Sequence, residues 1–342
     1  MRFVATVLDP RFHEDDKKWT SEAAYISESR SREVTNALQK IIIICGPTAV
    51  GKTSVSITLA KRFNGEIVSA DSQQVWRGMD IGTAKANLAV QSEVPHHLID
   101  VATPNEHFDA ARFVELADIA IEDITSRDKN VFVVGGTGMY LRMLEFGLCK
   151  APPQDEDIRL KLGNEIELQG LQKLHNRLRD LDPESALVIH PNDHTRIIRA
   201  LEIYELSGKK ASEFRKVHGF EERRYDTLKI GLNIDREELY TRINQRIDKM
   251  LEEGLLDEVS GLLEKYGDDI QGLKAVGYRE FVRHLTGELS LEDAIELAKR
   301  NSRRFAKRQL TWFRSDSEIK WFLPVEVSDM KKEIENYYGY KN

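Results

Sequence analysis

The chain has 342 residues, 41% of them hydrophobic, with a formal charge of −7 and two cysteines. That length and apolar share suffice for one sizeable core with an insertion or appendage, and no apolar run approaches the ~20 residues of a membrane span, so the chain is expected to be soluble. The distant pair Cys45 and Cys149 excludes a disulfide framework and a four-cysteine zinc site, leaving two buried thiols in a reducing cytoplasm.

Residues 1–38 mix both charges and lack an apolar stretch followed by a small-residue cleavage site. They are expected to form a poorly ordered extension rather than a secretory signal or transit peptide. The core opens with the apolar run Ile41 to Cys45, a buried strand, which leads into Gly46-Pro-Thr-Ala-Val-Gly-Lys-Thr53 and then an amphipathic helix over 54–63. This strand, GxxxxGK(S/T) loop and helix form a diphosphate site: Gly46, Thr48, Ala49, Val50 and Gly51 turn backbone amides inward, Lys52 adds a point charge, and Thr53 offers a hydroxyl to Mg²⁺.

A strand over 66–71 follows, ending in Asp71, then a glycine-rich polar loop over 78–85 and a strand-like stretch over 97–101. Residues 109–126 have helical periodicity, and Asn130 to Val134 form another buried strand that stops at Gly135-Gly-Thr-Gly138. Alternating strand and helix imply a parallel sheet with ligands at the carboxyl ends of its strands. Asp71 would then lie beside the diphosphate, as a general base or as a metal-liaising or loop-capping carboxylate. Thr137 brings a hydroxyl near a ligand or merely serves a tight turn.

From Pro152-Pro153 to about 225 the pattern becomes helical, with helices over 155–169, 171–180, 183–189 and 193–206 and stops at Gly170 and Gly208. Strand character returns over 228–234, helices follow over 236–253, 255–266, 277–286 and 291–313, and a strand closes at 319–323. The predicted architecture is α/β: a parallel-sheet phosphate-loop core over 39–150 and 226–342 with an all-helical insertion over 151–225. Arg242 and Arg246 share a helical face and suit a diphosphate, or are an ordinary salt-bridging pair. Arg300, Arg303, Arg304, Lys307 and Arg308 follow i, i+3, i+4, i+7, i+8 spacing, with no acid from Lys299 to Arg314, which makes one basic stripe: a seat for a polyanion, or a solvated face neutralised by neighbouring acids. His96 and His97 lack a second cluster with metal-ligand spacing.

Eight blocks in order carry a resemblance: Gly46 to Thr53, Ser69-Ala-Asp-Ser-Gln-Gln-Val75, Gly78-Met-Asp-Ile-Gly-Thr-Ala-Lys85, Pro95-His-His-Leu98, Gly135-Gly-Thr-Gly-Met-Tyr140, His190-Pro-Asn-Asp193 with Arg196 and Arg199, Ala275-Val-Gly-Tyr-Arg279, and Lys307-Arg-Gln-Leu-Thr-Trp-Phe-Arg314. Together, over about residues 40–323, they resemble the tRNA dimethylallyltransferases, or tRNA isopentenyltransferases. The resemblance implies transfer of a dimethylallyl group from dimethylallyl diphosphate to the exocyclic amine of the adenosine 3′ to a tRNA anticodon, with Mg²⁺ and release of diphosphate. It implies Asp71 as base, Thr137 and Arg242 holding the reacting groups, and the loop with Arg246 binding diphosphate.

Contacts to tRNA are implied for Ser72, Gln73, Gln74, Arg196, Arg199, Lys274, Gly277, Tyr278, Arg279, Lys307, Arg308, Gln309, Trp312 and Arg314, with Arg159 in the insertion joining them. Trp76 stands where the family pattern usually has Tyr, and the cysteine/histidine finger of many eukaryotic members is missing, so a bacterial-type enzyme is expected; a cytoplasmic monomer is expected as well. A phosphate-loop kinase and an adenylate isopentenyltransferase are the alternatives. The first would want an acid at the end of the 131–134 strand, and the second would need neither the stripe nor the insertion.

Overall fold

The computed structural model describes residues 37–340, so the expectation for residues 1–38 lies outside it except at the last two positions. Six strands form one sheet in which every pairing is parallel: β1 (Lys40–Cys45), β2 (Gly65–Ser69), β3 (His96–His97), β4 (Asn130–Gly135), β5 (Asp226–Leu232) and β6 (Lys320–Phe322), ordered β3-β2-β4-β1-β5-β6. In the centre, Ile43 of β1 lies opposite Val133 of β4 and Lys229 of β5. Successive side chains point to opposite faces, so Ile41 and Ile43 enter one buried cluster and Ile42 and Ile44 the other. A sheet covered on both faces requires such unbroken apolar runs.

Helix α1 (Lys52–Arg62) leaves the phosphate loop, α2 (Leu88–Glu93) precedes β3, α3 (Ala110–Ser126) precedes β4, and α4 (Gly138–Phe146) leaves it. The start of α3 is set by Asp109, whose Oδ1 accepts from the backbone amides of Ala111 and Arg112 at 2.9 and 3.0 Å. The expected strand over 97–101 is cut to two residues, because Leu98 and Asp100 adopt φ of 63° and 57°, which no extended strand accommodates.

Five consecutive helices then interrupt the sheet: α5 (Glu156–Gln169), α6 (Leu171–Leu181), α7 (Pro183–Val188), α8 (His194–Ser207) and α9 (Ala211–His218). Their boundaries follow the expected stops, with Gly170 and Gly208 at φ of 81° and 67° closing α5 and α8. The insertion carries its own apolar cluster, with Leu162, Leu174, Leu178, Ile197 and Leu201 at its centre. Helix α9 was not legible beforehand, since it buries only Ala211 and Ser212 and has almost no apolar period to read.

After β5 come α10 (Arg236–Glu252), α11 (Leu255–Tyr266), α12 (Arg279–Leu285) and the long α13 (Leu291–Arg314), then β6 and α14 (Val327–Tyr338). Helix α14 lies beyond the last expected strand. Met330 and Ile334 bury it against the face that holds Ile42 and Ile44, and the Tyr337 hydroxyl donates to the Asp226 carbonyl at 2.7 Å. Among the described residues no helix is long and apolar enough to cross a membrane.

Candidate active site

The carboxyl ends of β1, β2 and β4 are neighbours, so the sequence segments that follow them meet. The loop after β1 turns through Ala49 (φ 64°) and Gly51 (φ 104°) into the first turn of α1. Gly51 is needed there because that backbone conformation is strained for a side chain. Lys52 folds back over its own loop, donating to the carbonyls of Gly46 and Pro47 at 3.0 and 2.8 Å. Burial pushes its ammonium down to about 8; Asp71 opposes the shift and Arg246 adds to it.

Asp71 follows β2 in a short turn in which its Oδ1 accepts from the Gln73 amide at 2.9 Å. The segment is stitched to the next one: Ala70 N donates to Val134 O at 2.8 Å, Thr137 N donates to Ala70 O at 3.3 Å, and Ser72 N donates to the Thr137 hydroxyl oxygen at 3.0 Å. Thr137 therefore holds the backbone next to Asp71, the tight-turn use of that residue.

Thr48, Ala49, Gly51, Lys52, Thr53, Asp71, Ser72, Gln73, Gln74 and Thr137 line one cleft of about 560 Å³. Arg246 reaches it from α10, Lys274 and Gly277 from the segment before α12, and Arg308 and Gln309 from α13. The Arg246 guanidinium is desolvated, which lowers it from its ordinary value, with Asp71 pulling the other way. Gly46 and Val50 support the loop from beneath, Val50 being fully buried.

One wall is apolar: Ile243, Ile247 and Met250 on α10, with Val276 and Phe305. Sequence reading left this wall without a role although its spacing on α10 is i, i+4, i+7. Glu258 of α11 was missed entirely. It accepts from the amides of Asp80, Ile81 and Gly82 at 2.8, 2.7 and 3.1 Å and from the Tyr278 hydroxyl at 2.6 Å, so it fixes the 78–85 loop at the cleft rim. Its partners lie 178, 177, 176 and 20 residues away, and no local pattern announces them.

Other expected site residues lie elsewhere. Arg242 does not line the cleft; it pairs with Glu238 one turn back at 2.5 Å. Tyr278 is buried beneath the rim and donates its hydroxyl to Glu258. Arg279 pairs with Glu280 at 2.8 Å. In the insertion, Arg159 and Arg199 converge on the fully buried Glu202 at 2.8 and 2.6 Å, and Arg199 also donates to the Pro152 carbonyl at 2.5 Å. Both arginines therefore have structural employment, whereas Arg196 is exposed beside Asp193. Trp76 is buried in the core, edge-on to Phe108, so that position serves packing.

The stripe on α13 behaves differently. Arg304, Lys307, Arg308 and Arg314 are exposed, and with Arg300 and Arg303 they have no carboxylate partner among the described residues; Arg303 donates only to the Asn244 side-chain oxygen at 2.6 Å. Trp312 stands half-exposed on the same helix, over Gly138. A second cavity of about 360 Å³ is lined by Glu145, Phe220, Lys229 and Asp316 among others, with the exposed Arg142 stacked on the Phe220 ring. There the Lys229 ammonium is held by Glu145, Asp316 and Glu318 at 2.8, 2.8 and 3.0 Å.

A phosphate cradle, a carboxylate, a desolvated guanidinium and an apolar wall in one cleft suit a small amphiphile with an anionic head and a short hydrocarbon tail. Comparison with known proteins agrees. A family model described as IPP transferase matches residues 74–316. A protein of Geotalea uraniireducens named tRNA dimethylallyltransferase 2 is 52% identical over 283 residues, 82% of this chain and 91% of that one. The tRNA dimethylallyltransferase of Halalkalibacterium halodurans is 46% identical over 307 residues, covering 89% and 98%.

Among solved structures, the tRNA isopentenylpyrophosphate transferase of Bacillus halodurans superposes with TM-score 0.66 at 43% identity, covering 87% of this chain and 96% of that one. A eukaryotic dimethylallyltransferase captured acting on tRNA superposes with TM-score 0.69 at 34% identity, covering 83% and 73%. The chain belongs to the IPP transferase family and is a transferase of the tRNA dimethylallyltransferase group.

Proposed function

We propose that this protein moves a dimethylallyl group from dimethylallyl diphosphate to the exocyclic amine of the adenosine 3′-adjacent to a tRNA anticodon, as a cytoplasmic monomer using Mg²⁺. The observation that carries the reading is the union in one cleft of the Lys52 cradle, Asp71 and the Ile243, Ile247, Met250 wall. In the reaction the bond from the allylic carbon to the diphosphate oxygen breaks, a carbon–nitrogen bond to the adenine amine forms, and one amine proton leaves.

Each change has a residue suited to it. Lys52 and Arg246 face the oxygens on which charge grows, in a desolvated site where fixed charge acts strongly. Asp71 accepts the proton, and the bond from Ser72 N to Thr137 fixes the backbone next to that carboxylate. The apolar wall shields the allyl group from water. Adenine reaches the cleft by leaving its stack, at a cost of a few kcal/mol that is least in a single-stranded loop. The unpaired cations of α13 draw the RNA backbone to the rim.

The donor set fits Mg²⁺, since Thr53 and Asp71 present only oxygen to the cleft and no group of three His, Cys, Asp or Glu among the described residues forms a protein cage. Mg²⁺ is commonly held in this way, by few side chains together with phosphates and water. When bound, it supplies further positive charge to the leaving diphosphate. The deciding experiment is incubation with dimethylallyl diphosphate, Mg²⁺ and unmodified tRNA, followed by mass spectrometry of nucleosides. One adenosine per acceptor tRNA should gain C5H8. Transfer to free AMP instead of tRNA, or γ-phosphate release from ATP without prenyl transfer, overturns the reading.

A further inference from the structure

Gln309 occupies a place in the cleft that an RNA-contacting residue would not need. It is buried on the core side of α13, and its amide is used at both ends: Oε1 accepts from the backbone N–H of Thr48 and Nε2 donates to the carbonyl of Gly136, each at 2.9 Å. Thr48 belongs to the diphosphate loop after β1, and Gly136 to the turn after β4 that presents Thr137. The approach is close enough that a Cβ on Gly136 would stand 2.3 Å from Nε2, so the glycine is part of the same device. Because the Thr137 oxygen in turn accepts from Ser72 N, one chain of hydrogen bonds runs from the donor cradle through Gln309 to the backbone beside Asp71. The exposed Lys307 and Arg308 immediately precede Gln309 on the same helix.

We propose that Gln309 is a positioning residue that sets the distance between the diphosphate cradle and the Asp71–Thr137 side of the cleft, and that it does so from the helix that meets the RNA. The inference deepens the proposed function and rests on it. Its contribution is to donor binding and alignment; tRNA affinity belongs to the exposed cations of α13. Gln309→Met keeps the volume and removes both hydrogen bonds.

The test measures Mg²⁺–pyrophosphate affinity by calorimetry, KM for dimethylallyl diphosphate and kcat by steady-state transfer, tRNA Kd by filter binding, and melting temperature. Q309M should weaken pyrophosphate binding about tenfold, since two buried hydrogen bonds are lost. It should also raise the donor KM in proportion and lower kcat further, with tRNA Kd within twofold of wild type. Unchanged pyrophosphate affinity with weakened tRNA binding would show that Gln309 reads RNA. A lower melting temperature with donor KM unchanged would make it a structural residue only. Either result overturns the proposal.

If Q309M does not fold, Gln309→Asn, one methylene too short to span both partners, should show the same split in a folded protein. A wild-type enzyme that binds pyrophosphate without prenylating tRNA sinks the proposed function, while the pyrophosphate comparison still decides the role of Gln309.

Discussion

Arginine does opposite things in the insertion and on α13. In the insertion, Arg159 and Arg199 are drawn inward onto Glu202, a carboxylate with no exposed surface that also accepts from the Asp155 amide at 2.8 Å. On α13, Lys299 pairs with Asp248, but Arg300, Arg304, Lys307, Arg308 and Arg314 are exposed without acidic partners among the described residues. A buried charge must be neutralised within the protein, whereas a cation meant for a polyanion has to be left free. Pairing state, which composition hides, therefore separates structural arginines from those available to a ligand; Lys52 and Arg246 in the cleft are desolvated like the first kind but have no carboxylate partner among the described residues.

Substitutions in the cleft should give the largest effects and test its side of the contrast. Asp71→Asn should cut transfer about 10²–10⁴-fold while tRNA affinity stays within a few-fold, as rapid-quench kinetics and filter binding would reveal. Near wild-type turnover would remove Asp71 from the chemistry. Lys52→Ala should act mainly on dimethylallyl diphosphate, raising its KM.

Glu202→Ala attacks the other side of the contrast. It strands two arginines that are about a third exposed, so the cost should be about 2 kcal/mol, below that of a fully buried pair, read as a lower urea midpoint. Turnover per folded molecule should not change. Burial alone would raise the Glu202 carboxyl, but the hydrogen bonds from Arg159 and Arg199 outweigh it and hold the group below the usual range. A depressed carboxyl stabilises the fold at pH above its unfolded value and loses that contribution as pH falls. Wild type should therefore lose stability toward acid more steeply than Glu202→Ala. If the substitution instead weakens tRNA binding without affecting stability, the insertion's arginines belong to the RNA interface after all.

On α13, neutralising Arg304 and Lys307 together should flatten the slope of log affinity for tRNA against log salt by roughly one unit per lost phosphate contact, alike for all tRNAs. An unchanged slope would make the stripe a solvated helix face. A pH series on the donor side gives a gentler effect. With the free Lys52 ammonium at about 8, its charge is complete below that pH and diphosphate binding must recapture a proton above it. The ratio of wild-type to Lys52→Ala pyrophosphate affinity, in which the ligand's own ionisation cancels, should be level well below pH 8 and fall above it by at most tenfold per pH unit. The smallest effect belongs to Arg242→Ala, expected to change donor KM and kcat less than threefold because the side chain pairs with Glu238 outside the cleft. A hundredfold loss would show that Arg242 swings inward when substrate binds.

The sequence by itself determined what depends on near neighbours. A strand of five apolar residues, a glycine-bearing loop and a lysine at the start of a helix come from contiguous backbone, so the Gly46 to Thr53 loop and its place after β1 were readable at once. The same holds for the first four helices of the insertion, where period and terminal glycines are local, and for the parallel character of the sheet, since unbroken apolar runs require cover on both faces. Eight ordered motifs further carried the family, which the comparisons bear out.

Only the tertiary structure decided which polar groups spend their hydrogen bonds on one another. Arg159 finds Glu202 across 43 residues, Tyr278 finds Glu258 across 20, and Gln309 finds Thr48 across 261. Such partners are chosen by where the packed elements happen to bring them, because a charge or amide gains most from whichever complement shares its desolvated pocket. Spacing along one helix put Arg242 and Arg246 on a common face, yet Arg242 turned to a carboxylate one turn away and Arg246 entered the cleft. Short-range order makes the cradle; long-range packing determines which side chains remain free to use it.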